Sequence, residues 1–116
     1  MRILLVDDQA FNLIVLENLI ESSFPNAACE KAINGKLALE TVIENDKAGT
    51  PFDMIFMDIN MPEMDGNESA RLITKEHQEG RLAHKPFISA ITAYTSEETR
   101  KEALNSGMEH FLTKPA

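Results

Sequence analysis

Short apolar runs alternate along the chain with segments in which apolar residues recur at helical spacing. Continuous apolar runs are typical of strands that are covered on both faces of a sheet. They predict five strands, over residues 2–7, 27–32, 53–58, 87–91 and 108–113. The segments between them predict four helices, over residues 11–23, 36–46, 66–78 and 95–106. Strands that alternate with helices indicate an α/β fold with a parallel sheet and right-handed crossovers.

The apolar faces of the predicted helices differ in width. The first helix has apolar residues at helical spacing, namely Leu13, Leu16, Ile20 and Phe24. The fourth helix is polar, with Ala103 and Leu104 as its main apolar pair. Thr95 and Glu98 have the spacing of a capping box, so we predict that this helix begins at Thr95.

Chemically active side chains follow four of the five predicted strands. Asp7 and Asp8 follow the first strand, and Asp58 ends the third. Thr92 follows the fourth strand, and Lys114 follows the fifth. In open parallel sheets, functional groups gather beyond the carboxyl ends of the strands. We therefore expect these five side chains to meet at one edge of the sheet.

Three carboxylates in one place repel one another unless a cation binds between them. Mg²⁺ is the best fit, because it takes oxygen ligands and prefers one or two carboxylates together with phosphate oxygens. Asp58 can then act as a nucleophile that forms an aspartyl-phosphate. Lys114 and the metal would neutralise charge on the phosphoryl group, and Thr92 would donate a hydrogen bond to it. The pattern predicts a metal-assisted phosphoryl site.

Each of these features also has a simpler interpretation. Asp7 and Asp8 alone are consistent with a helix cap and a first-turn acid, and Asp58 alone with a simple turn. Thr92 and Lys114 alone are ordinary residues at strand ends. We prefer the phosphoryl site because all of these features occur at strand ends and in this order.

Composition and charge narrow the classes of partner. The 116 residues fit one domain, which we assign to residues 1–116. The 11 basic and 19 acidic residues give a net charge of −8, which disfavours direct binding to nucleic acid or to an anionic membrane. No apolar run approaches the roughly 18 residues that a membrane span needs. These features make the cytoplasm the default location.

Cysteine and histidine offer no alternative metal site. Cys29 is the single cysteine, so no internal disulfide can form, and we interpret it as a small core residue in a reducing compartment. The histidines are scattered without the spacing of a zinc site, and we interpret them as surface or loop residues: His77, His84 and His110.

The motifs around these residues resemble the response-regulator receiver domain of two-component phosphorelays. They are Val6-Asp7-Asp8, the stretch from Met57 to Gly66, Ile91-Thr92-Ala93 and Lys114-Pro115. The segment from Asp7 to Asn12, with Asn12 opening the first helix, is similar to receivers of hybrid sensor histidine kinases, as is the end of the chain soon after Lys114. The resemblance covers nearly the whole chain.

The resemblance implies a flavodoxin-like, doubly wound (βα)5 fold with strand order 2-1-3-4-5. The fifth helix of that fold is absent from this chain, which we therefore expect to be a domain truncated before its last helix. Because that helix would cover the sheet face beside the first helix, we expect part of that face to be a bare apolar patch.

The resemblance also implies a function and a set of roles. Asp58 would accept a phosphoryl group from the phosphohistidine of a histidine kinase or a histidine phosphotransfer protein. Asp7, Asp8 and Asp58 would hold Mg²⁺ together with the main-chain carbonyl of Asn60. Thr92 and Lys114 would contact the phosphoryl group. The chain would catalyse only its own phosphorylation and dephosphorylation, and so would not be an enzyme in the ordinary sense.

Further expectations from the family concern switching and assembly. Thr92 would couple to Phe111 in the switch. Because Phe111 lacks a hydroxyl, only the burial of its ring would change on switching. Tyr94 would shield the phosphoryl group from water, and the bond between Lys114 and Pro115 would be cis. The surface formed by the fourth helix and fifth strand is a candidate homodimer interface. The chain would act in the cytoplasm, alone or within a membrane-anchored hybrid kinase.

Three other functions are alternatives to the phosphoacceptor receiver. A phosphorylation-independent, receiver-like binding module would keep the fold without the chemistry. A Mg²⁺-dependent phosphatase that uses an aspartyl-phosphate would need a second acid where Asn60 stands. A flavin or nucleotide binder would need a glycine-rich or hydroxyl-rich loop in place of Asp7-Asp8-Gln9.

Overall fold

A computed structural model of the chain describes residues 1–59, 61, 64–92 and 96–113. Its strands form a single sheet: β1 (Arg2–Val6), β2 (Ala28–Ala32), β3 (Met54–Asp58), β4 (Phe87–Thr92) and β5 (His110–Thr113). All neighbouring strands are parallel, and their order is β2-β1-β3-β4-β5. The predicted fold class and strand order are confirmed.

Four described helices connect the strands: α1 (Ala10–Ser23), α2 (Gly35–Lys47), α3 (Gly66–Gln78) and α4 (Glu97–Asn105). Side-chain caps begin three of them. Asn34 Oδ1 accepts a hydrogen bond from Leu37 N at 2.8 Å, and Asp65 Oδ1 accepts one from Glu68 N at 2.9 Å. None of the described helices has the length and apolar character that a membrane crossing requires.

Two predicted helix starts are wrong. The cap of α4 is Ser96 rather than Thr95, because the Ser96 hydroxyl accepts a hydrogen bond from Thr99 N at 3.1 Å. Glutamates at the next two positions favour this start, since acids stabilise the first turn of a helix. Asn12 does not open α1, because the helix begins at Ala10 and places Asn12 in its first turn.

The fifth strand is shorter than predicted. Met108 N donates to Ala103 O at 3.1 Å, so residues 107–108 close the end of α4 instead of extending β5. Gly107 has a φ of +95°, a left-handed conformation that suits glycine at this turn. The strand pairs with β4 from His110 onward.

The sheet is covered unequally on its two faces. One face packs against α2, α3 and α4 over a large apolar cluster that includes Leu4, Ile55 and Ile88. The other face packs against α1 through a smaller cluster, made of Ile3, Leu5, Leu13 and Ile20. Cys29 packs at the edge of this smaller cluster and is partly buried, so it is less enclosed than predicted.

The exposed fractions of apolar side chains show that two further predictions are wrong and support a third. Phe24 is 64% exposed because it lies at the C-cap of α1, where the helical spacing no longer holds. Leu104 is 55% exposed, whereas its neighbour Ala103 is buried. Phe87 and Leu112 point away from the larger cluster, by strand alternation, and both are exposed, as expected of a partly bare sheet face.

Candidate metal and phosphoryl site

Adjacent strands deliver the three predicted carboxylates to one edge of the sheet. Val6 of β1 pairs with Met57 of β3, so the acids that follow each residue come to lie side by side. Carboxylate oxygens of Asp7, Asp8 and Asp58 lie within 4.8 Å of one another. Asp58 is 2% exposed and Asp7 is 5% exposed, whereas Asp8 faces solvent. The structure therefore brings these acids together as the sequence predicts.

Local hydrogen bonds fix the orientation of Asp7. Gln9 N donates to Asp7 Oδ1 at 2.9 Å, and Asn12 Nδ2 donates to Asp7 Oδ2 at 3.3 Å. The Asp7 main-chain N donates to Ala32 O of β2 at 3.2 Å. The first turn of α1 therefore orients this buried carboxylate, and Asp7 is not the helix cap, since that position is Gln9.

Gly66 supports the backbone of Asp58. Gly66 N donates to Ile59 O at 3.0 Å, so the first turn of α3 is bonded to the residue after Asp58. A Cβ at Gly66 would overlap the Asp58 carbonyl oxygen and would lie 2.9 Å from Ile59 Cα. The close approach of α3 to this strand end therefore requires glycine. The motif predicts a helix that begins at Gly66, but spacing along the chain does not reveal this close approach.

Thr92 ends β4 at the same edge of the sheet. Asp58 pairs with Ile91 in register, which places Thr92 one residue beyond that pair. The Thr92 side chain is completely buried. The remaining predicted site residues lie outside the described ranges: Asn60, Tyr94, Lys114 and Pro115.

Phe111 has a neighbour that the sequence did not reveal. Its half-buried ring packs against the larger apolar cluster, and the guanidinium of Arg100 lies 5.2 Å from the ring centroid. Arg100 belongs to α4 and Phe111 to β5. Only the tertiary packing of α4 over β5 brings the two together, so no local pattern could have predicted the pair.

The donor set suits Mg²⁺. All three ligand candidates are hard carboxylate oxygens, and the exposure of Asp8 leaves room for the waters that Mg²⁺ retains. Within the described ranges, no cysteine or histidine joins this cluster. His110 Nδ1 instead lies 3.3 Å from Ser89 Oγ. Burial, together with Glu17 and Glu21, raises the pKa of the Cys29 thiol, which disfavours a metal-binding thiolate.

We expect Mg²⁺ to stabilise the folded chain. An ion that binds only the native state adds about 2.7 kcal/mol to the free energy of unfolding at 100 times its dissociation constant. Thermal unfolding with and without Mg²⁺ measures the gain, which should disappear in Asp7→Asn. Glu40→Gln, which removes an exposed charge from α2, is the matched control and should keep it. An equal gain in Asp7→Asn and the unsubstituted chain would show that the cluster does not bind the ion.

Comparison with known proteins identifies the family. Residues 3–116 match the family described as the response regulator receiver domain. The chain is 34% identical to the sensor histidine kinase GacS of Pseudomonas protegens, over 98% of this chain and 12% of that protein. It is 35% identical to the osmosensing histidine protein kinase SLN1 of Saccharomyces cerevisiae, over 98% of this chain and 9% of the kinase. The chain thus spans about a tenth of the length of these relatives.

Solved structures agree with the sequence relatives. The receiver domain of the histidine kinase CKI1 from Arabidopsis thaliana, complexed with Mg²⁺, superposes with a TM-score of 0.83 at 34% identity, covering 97% of this chain and 81% of that one. The receiver domain of Ssk1 from Saccharomyces cerevisiae was solved in a co-crystal with the histidine phosphotransfer protein Ypd1. It superposes with a TM-score of 0.82 at 29% identity, covering 100% of this chain and 79% of that one. Fold, acidic cluster and family match converge, and the chain belongs to the response regulator receiver domain family.

Proposed function

We propose that this chain is the phosphoacceptor receiver of a two-component phosphorelay, with residues 1–116 acting as one domain. The observation that carries the proposal is the convergence of the Asp7, Asp8 and Asp58 carboxylates within 4.8 Å at the carboxyl edge of the sheet. Asp58 is the acceptor, because it ends the central strand β3 and is flanked by β1 and β4. Asp7 and Asp8 are the proposed metal ligands beside it.

The chemistry is the transfer of a phosphoryl group between two proteins. An Asp58 carboxylate oxygen attacks phosphorus, and the bond between phosphorus and the donor imidazole nitrogen breaks, which returns its electron pair to that nitrogen. Bound Mg²⁺ would neutralise charge on the phosphoryl oxygens. The Thr92 hydroxyl donates to one of those oxygens, and the Lys114 ammonium pairs with another. The main-chain carbonyl of Asn60 completes the proposed metal ligands.

The proposed donor is a histidine kinase or a histidine phosphotransfer protein. Two observations support it: the sequence relatives include sensor histidine kinases, and the Ssk1 receiver was crystallised with Ypd1. The negative charge of the chain argues against nucleic acid as a direct partner. We place the chain in the cytoplasm, alone or as part of a hybrid kinase.

The proposed output is a change of surface. Phosphorylation draws Thr92 toward Asp58, because the new charge forms hydrogen bonds that did not exist before. Phe111 responds by burial of its ring, and the surface of α4 and β5 changes, which makes it the proposed homodimer interface. The chain catalyses its own phosphorylation and dephosphorylation, and Tyr94 shields the phosphoryl group from attacking water.

Beryllofluoride, a phosphoryl mimic, tests the proposal. We expect it to shift the amide NMR signals of Asp58, Thr92 and Phe111 in buffer with Mg²⁺ and to leave them unchanged without the ion. The shifts should be absent in Asp58→Ala, while Glu40→Gln should behave as the unsubstituted chain does. A folded chain that shows no Mg²⁺-dependent shift would instead favour a phosphorylation-independent binding module.

A further inference from the structure

Arg100 and Phe111 form a contact between α4 and β5 that the proposed chemistry does not use. The guanidinium lies over the ring at 5.2 Å from its centroid, within the range of a cation–π interaction. The inner side of the ring packs against the larger apolar cluster. Because Arg100 itself is exposed, the contact caps the outer side of a half-buried ring.

The Phe111 ring and the Thr92 side chain occupy the same layer of the molecule. Ala90 pairs with Phe111, and both contribute to the apolar cluster beneath α4. Side chains of alternate residues share one face of a strand, so Thr92 lies on the same face as Ala90. A buried Thr92 that moves toward Asp58 would therefore leave space in the layer that also holds the Phe111 ring. Closely packed interiors do not tolerate such a void without a neighbour moving in.

The helix that carries Arg100 is thinly anchored. Among its residues, only Ala103 is buried. Ser106, just beyond the helix, accepts a hydrogen bond from Arg71 Nη1 at 3.1 Å and so ties the end of α4 to α3. The capped ring links the middle of α4 to β5, beside the burial of Ala103 in the larger apolar cluster. A small change in the free energy of this contact should therefore shift the position of the ring.

We propose that Arg100 is a positioning residue for phosphoryl capture, which acts by holding the Phe111 ring half-buried and so keeping Thr92 away from Asp58. Closure of the phosphoryl site draws Thr92 toward Asp58, moves the ring inward and breaks the contact with Arg100. The contact therefore opposes capture. This inference rests on the proposed function and adds the regulation of that same site.

Beryllofluoride affinity at saturating Mg²⁺ tests the inference. We expect Arg100→Gln to bind the mimic about two- to five-fold more tightly than the unsubstituted chain, the range that an exposed cation–π contact supports. Arg100→Lys keeps a cation over the ring and should restore most of the normal affinity. Lys101→Gln removes the same charge one residue along, where the described residues show no ring contact, and should bind no more tightly than the unsubstituted chain.

The direction of the effect separates positioning from general electrostatics. Loss of a positive charge weakens binding of an anion to a nearby site, so a gain in affinity cannot arise from charge alone. In a Phe111→Leu background, which lacks the ring, Arg100→Gln should have no further effect. Equal or weaker binding by Arg100→Gln, or tightening that persists without the ring, would overturn the inference alone. Absence of Mg²⁺-dependent binding in the unsubstituted chain would overturn the proposed function and this inference together.

Discussion

Asp58→Asn is expected to leave the chain folded and unable to take up a phosphoryl group. The amide that replaces the carboxylate is not a nucleophile, whereas the shape of the buried side chain is nearly unchanged. Intact-protein mass spectrometry after incubation with acetyl phosphate and Mg²⁺ measures the uptake. We expect one added phosphoryl group in the unsubstituted chain and none in the variant.

A second variant, with a smaller expected effect on phosphoryl uptake, is the control for this experiment. Asp8→Asn removes the exposed member of the acidic cluster but keeps the acceptor, so it should still be phosphorylated, more slowly and at higher Mg²⁺ concentration. Circular dichroism establishes that both variants are folded. Full phosphoryl uptake by Asp58→Asn would mean that another residue is the acceptor.

Gly66→Ala should damage both stability and the site. The added methyl group would overlap the Asp58 carbonyl oxygen, so either the first turn of α3 or the end of β3 must move. Overpacking of this kind costs about 1–3 kcal/mol, which denaturant unfolding can measure. Because the displaced backbone carries Asp58, we also expect weaker Mg²⁺ and beryllofluoride binding, measured by titration under conditions in which the variant remains folded.

Gly80→Ala is the matched control for Gly66→Ala. Gly80 has a φ of +80°, but a Cβ there would meet nothing within 4 Å. An alanine in this left-handed conformation costs about 1–2 kcal/mol through backbone strain. It should therefore lower stability while leaving Mg²⁺ affinity unchanged. Normal Mg²⁺ affinity in Gly66→Ala would show that its contact with the Asp58 carbonyl does not position the site.

The sheet and the acidic cluster could be predicted because both follow from local pattern combined with topology. Buried parallel strands appear as continuous apolar runs, and their carboxyl ends lie at one edge of the sheet regardless of the loop conformations. Asp7, Asp8 and Asp58 therefore came together as predicted. The roles of these acids, and those of Asn60, Thr92 and Lys114, remain predictions.

Helix ends and packing partners were harder to predict. Thr95 and Ser96 are adjacent hydroxyl residues that can each cap a helix, and only the backbone geometry selects Ser96. Phe24 continued an apolar spacing beyond the point at which α1 ends. The Arg100–Phe111 contact depends on how α4 lies over β5, and the Gly66 contact depends on how closely α3 approaches β3. None of these follows from spacing along the chain.

The thin anchoring of α4 has a consequence for amide hydrogen exchange. We expect amides of β1 and β3, at the centre of the sheet, to exchange mainly by global unfolding, because both faces of these strands are packed. We expect amides of α4, with a single buried residue, to exchange by local opening at a lower free energy. On this expectation, the α4 surface opens many times for each global unfolding event, while the strands that carry the acidic residues stay closed.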